Sequence, residues 1–131
     1  MSHWVNVTVE INDLDALREA VGVLASRTSG IRLEENVLCR SYNEKQFELV
    51  LKLPGKYDVG LKRKLGFDNA WEIEYDDWQN HVSRVLGDGC VDLLTEYGVA
   101  KVMKQARAKG LTARRVKGKD GRPEVRVKQR N

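Results

Sequence analysis

The chain has 131 residues, 41% hydrophobic and 32% charged, with 11 glycines and 2 prolines, a make-up that fits one compact domain with a modest core rather than two domains. With 7% aromatic residues and no low-complexity tract, it is too apolar to be disordered as a whole. No apolar run approaches the roughly 20 residues that span a bilayer. Asn6, Thr8 and Glu10 interrupt the start where a signal peptide would need an apolar stretch, so a cytoplasmic address and no membrane partner are expected.

In chain order, Val5, Val7, Val9 and Ile11 alternate with Asn6, Thr8 and Glu10, the pattern of a half-buried strand from Trp4 to Ile11. Asn12 or Asp13 then supplies a helix cap, and Leu14, Leu17, Ala20, Val21 and Leu24 follow at helical spacing to about Ser26, before Gly30. Two extended segments, 31–42 and 46–53, flank residues 42–45 and read as a hairpin, with Phe47, Leu49, Leu51 and Leu53 on one face. Pro54-Gly55 breaks the run. Tyr57, Val59 and Leu61 resume it toward a turn at 66–69, and Trp71, Ile73 and Tyr75 form the returning strand. Gly60 inside that pattern marks a bulge or a close approach.

A short helix is predicted over 79–86 and a longer one over 90–109, with Val91, Leu94, Tyr97, Val102 and Ala106 to be buried and Gly110 as its stop. Residues 111–117 and 124–128 close the chain as a hairpin around Gly118-Lys119-Asp120-Gly121. The fold class that follows is α+β in two layers: a mainly antiparallel sheet covered by two principal helices, with a C-terminal β-hairpin, in one domain over 1–131.

Three stretches carry a family resemblance. They are Met1-Ser2-His3-Trp4; the run 57–63 with Trp71-Glu72 and Asp76-Asp77-Trp78; and Tyr97, Gly110, Asp120-Gly121 and Val125-Arg126-Val127. In order and spacing they resemble the small conserved open-reading-frame proteins of chloroplast genomes and cyanobacteria, a domain of unknown function also met in other bacteria and in phages. That family tends to end soon after an Arg-Trp pair, whereas this chain ends Lys128-Gln129-Arg130-Asn131. The resemblance implies an intracellular α+β protein in an accessory or adaptor role, and brings no catalytic residues to carry over.

For chemistry, the residues exclude more than they assign. Cys39 and Cys90 lie far apart, which suits reduced, buried thiols, and with His3 and His81 they offer no close ligand pair of the kind that holds zinc. Glu72, Glu74 and Asp76 alternate and would share one strand face about 7 Å apart, with Asp77 opposite. Such a row can hold a metal, but Lys62, Arg63 and Lys64 on the preceding strand are placed to neutralise it. Neither Gly87-Asp88-Gly89 nor the 118–121 turn is a phosphate loop, and no nucleophile motif is present, so no catalytic residue, metal or cofactor is assigned.

Charge is the strongest functional signal. The net +4 divides into 11 Lys/Arg against 17 Asp/Glu over residues 1–100, and 12 against 2 over 101–131. Lys101, Lys104, Arg107 and Lys109 fall on related helix faces, and Arg114, Arg115, Lys117, Lys119, Arg122, Arg126, Lys128 and Arg130 decorate the hairpin. Were these faces to coincide, they would form one continuous cationic surface able to hold phosphates. No aromatic residue follows Tyr97, so base stacking has no supplier there and contacts to the phosphate backbone are favoured.

The expectation is a non-enzymatic binding or adaptor protein whose basic C-terminal region, 90–131, engages an anionic partner, nucleic acid first. A regulatory subunit docking on another protein is the alternative, and a small metal-dependent hydrolase using the 72–77 carboxylates a distant third.

Overall fold

The computed structural model describes residues 2–67 and 69–129. Arg130 and Asp68, placed above in the basic set and in a turn, lie outside the described residues, as do the side chains of Thr8 and Val9.

Strand β1 (Trp4–Ile11) leads into α1 (Leu14–Arg27), and of the two predicted caps Asp13 is used: its carboxylate accepts from the Ala16 amide at 3.1 Å. Four strands follow, β2 (Arg32–Cys39), β3 (Lys45–Lys52), β4 (Val59–Arg63) and β5 (Trp71–Asp76). They form an antiparallel meander to which β1 adds on the far side, giving the order β1-β5-β4-β3-β2. Because β1 and β2 are opposite edges, α1 must carry the chain across a sheet face, and its apolar stripe Leu17, Ala20, Val21 and Leu24 is buried there.

Register sets the core. Val5, Tyr75, Val59, Leu51 and Leu33 line up across five strands, and Val7, Ile73, Leu61 and Leu49 make the next row. These rows form one cluster with α1 and with Leu93, Tyr97 and Ala100 of α3 (Val91–Ala108), each buried Leu, Ile or Val contributing about 1.5–3 kcal/mol. Strands β6 (Leu111–Lys117) and β7 (Pro123–Gln129) pair as a separate two-stranded sheet packed on α3. The expected α+β architecture is thus the one observed. No helix among the described residues is long and apolar enough to cross a membrane.

Three local expectations are corrected. Phe47 does not stay with Leu49 and Leu51. The left-handed Asn36 (φ 52°) sits between the Glu35–Leu49 and Val37–Phe47 pairs, and beyond it Phe47 joins Cys39, Val50, Trp4 and Val37 on the outer face. There its ring covers Gly60, where an added Cβ would lie 2.6 Å from ring carbons; this is the close approach that glycine permits.

The helix predicted over 79–86 is split. A 3-10 turn at Trp78–Asn80 ends in left-handed Gln79 and Asn80, and α2 spans only Ser83–Leu86, with the Asp77 carboxylate accepting from the Val82 and Ser83 amides at 3.2 and 2.9 Å. On α3, Tyr97 and Ala106 are buried as expected, but Val91 and Val102 are 51% and 45% exposed, and Leu93, Glu96 and Ala100 are buried in their place. The buried stripe contains a carboxylate, so an apolar periodicity search slides off it.

Candidate anion-binding surface

The nine basic residues expected to act together, Lys101, Lys104, Arg107, Arg114, Arg115, Lys117, Arg122, Arg126 and Lys128, occupy different environments. Two belong to the α1 corner. Lys101 Nζ donates to Asn12 Oδ1 at 2.6 Å, and Lys104 Nζ reaches both oxygens of Asp13 at 3.1 and 3.0 Å and Asp15 at 3.6 Å. The Ala16 amide, then Lys104, hold the Asp13 carboxyl below its ordinary range. These lysines join α3 to the start of α1, Lys101 through the neutral Asn12 and Lys104 through two acids of the same chain.

Arg115 also turns inward. Successive strand residues point to opposite faces, so Arg115 looks toward α3 while Arg114 looks away from it. Both terminal nitrogens of Arg115 donate to Glu96, Nη2 to Oε1 at 2.6 Å, and Arg27 Nη2 adds a contact at 3.4 Å. Glu96 is 4% exposed, and the Arg115 hydrogen bonds first, against the opposing effect of burial, hold its carboxyl below the usual range. This ion pair clips the hairpin to α3. Arg122 is local to the turn, its amide donating to Asp120 Oδ1 at 3.0 Å.

What remains outward is smaller and more coherent. Arg114 stands directly opposite Arg126, and Thr112 opposite Lys128, so one face of the hairpin presents three exposed cations in two adjacent rows. None of the three has an ion pair among the described residues, and neither have the exposed Arg107 and Lys117. The single continuous surface therefore gives way to a compact patch, with Lys101, Lys104 and Arg115 withdrawn from it by partners of their own.

Behind the hairpin, between its tip and the first turns of α3, lies a cleft of about 690 Å³. Arg27, Arg115, Lys117 and Arg122 line it against Asp92 and Glu96, with Val91, Val116 and Pro123 as apolar wall. Arg27 comes from the end of α1, outside the basic segment, and Glu96 is an acid within it. Their signal was an acidic residue standing within a helix's apolar stripe.

Two carboxylates of the acidic row, Glu74 and Asp76, are engaged internally. Glu74 pairs with Lys62 at 2.9 Å and Lys45 at 3.3 Å. Burial raises the Glu74 carboxyl, and these lysines more than reverse that, leaving it lowered. Asp76 carries no exposed surface and accepts from the backbone amides of His3, Tyr42 and Trp78 at 2.8, 3.1 and 3.0 Å. It ties three segments together.

The His81 ring packs on Tyr57 at 4.7 Å, and His3 is held at the β1 end through its backbone. Cys39 and Cys90 are buried free thiols, each pushed up to about 12 chiefly by burial. Among the described residues no group of three or more His, Cys, Asp and Glu side chains is placed to hold a metal ion. No family model, no curated protein and no solved structure matches this chain.

Proposed function

We propose that this is a non-enzymatic binding protein whose C-terminal hairpin engages a polyanion, with nucleic acid the first candidate, through Arg114, Arg126 and Lys128. The observation that carries the reading is the Arg114–Arg126 pair: two exposed guanidiniums directly across a two-stranded ladder, neither of them ion-paired among the described residues although Glu124 stands on the same face, opposite Val116 in the next row. Like charges in that position disfavour the hairpin. A phosphate backbone would relieve the repulsion and release counterions as it bound. Guanidiniums also match phosphate with paired N–H donors, which a scattered lysine face would not. Two free, buried thiols fit a reducing, cytosol-like compartment.

The test is fluorescence polarisation with labelled single- and double-stranded DNA and RNA at about 50 and 200 mM salt. Binding that collapses over that range, and that the variant Arg114→Ser/Arg126→Ser/Lys128→Ser loses for all sequences alike, is the expected result. Unaltered binding by that variant removes the hairpin from the interface. A second reading, a subunit that docks on another protein, is favoured by the unpaired edge of β2, where Leu38 is 50% exposed. It predicts a complex that survives the salt series.

A further inference from the structure

The cleft behind the hairpin contains more positive charge than its own acids use. Arg115 spends both terminal nitrogens on Glu96, which leaves that carboxylate satisfied before Arg27 is counted. Arg27 then contributes one contact at 3.4 Å from a side chain that is 53% exposed, and a guanidinium has five N–H donors. Lys117 on the same wall has no ion pair among the described residues, and Arg122 stands 3.7 Å from Asp120 while 84% exposed. Facing these cations is one further acid, Asp92, on the opposite lip. At about 690 Å³ the cleft lies within the range of small-molecule sites, and Val91, half exposed on the first turn of α3, gives it an apolar surface.

We propose that this cleft binds a small phosphorylated molecule, its phosphate held by Arg27, Lys117 and Arg122 and its organic part lying on Val91, Val116 and Pro123. A phosphate monoester matches the site in two respects. It brings close to two negative charges and several acceptor oxygens to a surplus of N–H donors. It also has an organic substituent for the wall that free phosphate would leave wet. The inference stands apart from the polyanion reading: Arg114 and Arg126 lie on the other face of the same strands, so the two sites are separable by mutation.

The experiment follows backbone amide shifts in the full chain by NMR during titration with inorganic phosphate and with phenyl phosphate, at ionic strength held constant with chloride. Saturable shifts at Thr95, Lys117 and Gly121 are expected, with phenyl phosphate the tighter ligand. Arg27→Ser and Lys117→Ser should each weaken it about tenfold, as loss of a charge-assisted hydrogen bond does. Both residues are exposed enough to be replaced without unfolding, which unchanged amide dispersion would verify. Arg114→Ser/Arg126→Ser should leave the affinity unchanged. Shifts that fail to saturate, or that centre on Arg114 and Arg126, overturn the site. Phenyl phosphate binding no more tightly than inorganic phosphate overturns the assignment to a phosphorylated molecule.

Discussion

Asp58 accepts hydrogen bonds from the amide, Nε and Nη2 of Arg40, from Lys52 Nζ and from the Leu53 amide, at 2.8–3.1 Å, with no surface of its own exposed. Arg40 also donates to the carbonyls of Gly55 and Leu53, so one buried ion pair fixes the ends of β2 and β3 and the loop into β4. Burial raises the Asp58 carboxyl, and the bonds from Arg40 and Lys52 more than reverse this, leaving it below its ordinary 3.8. A carboxyl lowered on folding stabilises the protein fully above its unfolded value, and that contribution is lost as pH falls through the folded value. Asp58→Asn should therefore cost about 3 kcal/mol near neutrality, the low end for a broken buried pair because Arg40 stays 37% exposed and can rehydrate. Urea unfolding from about pH 3 to 7 should show the variant's stability falling less steeply with acid than that of the natural chain.

Gly60 is the other position where one atom decides. A methyl group there meets the Phe47 ring at 2.6 Å, so Gly60→Ala should destabilise by about 1–3 kcal/mol, and Phe47→Leu in the same chain should recover part of the loss in a thermal melt. The glycine was legible as a site of close approach, but its neighbour was not. Strict alternation puts Phe47 on the opposite face, and the pattern registers neither its change of face nor the left-handed backbone at Asn36 on the neighbouring strand.

At the scale of elements, strands and helices announced themselves where side-chain period was clean, as in α1 and in β4 and β5, while β6 was marked by the turn that follows it. The misreadings fall where a polar residue carries structural work inside an element. Asp77 caps the chain into a broken pair of turns in place of one helix, and Glu96 occupies the buried stripe of α3. Glu96 gives the hairpin its anchor, because a two-stranded ribbon is marginal alone. Arg115→Ala should consequently lower amide-exchange protection over 111–129 while leaving β3, β4 and β5 protected. A uniform loss across both sheets would show instead that hairpin and core unfold as one unit. The exposed Lys104 contacts to Asp13 and Asp15 are the contrasting case, and Lys104→Ala should shift the melt little.

For the whole molecule, the division of charge is plain in the sequence, and it makes salt the natural probe of function. If phosphate contacts at Arg114, Arg126 and Lys128 carry nucleic-acid binding, each one removed should reduce the slope of log affinity against log salt by about 1. Arg107→Ser, a change of equal charge on the helix rather than the hairpin, should leave that slope unaltered. The comparison separates a defined patch from a diffuse field of positive charge.

Composition and periodicity by themselves determined the fold class, nearly every element and the basic end of the chain, because alternation, helical spacing and turn residues act over a few neighbouring positions. Only the tertiary structure decided which charges are spent and which are free. Arg115 meets Glu96 across 19 positions of sequence, Arg27 meets it across 69, and Lys104 meets Asp13 across 91. Those meetings follow from how the topology brings distant segments together, which no local period encodes.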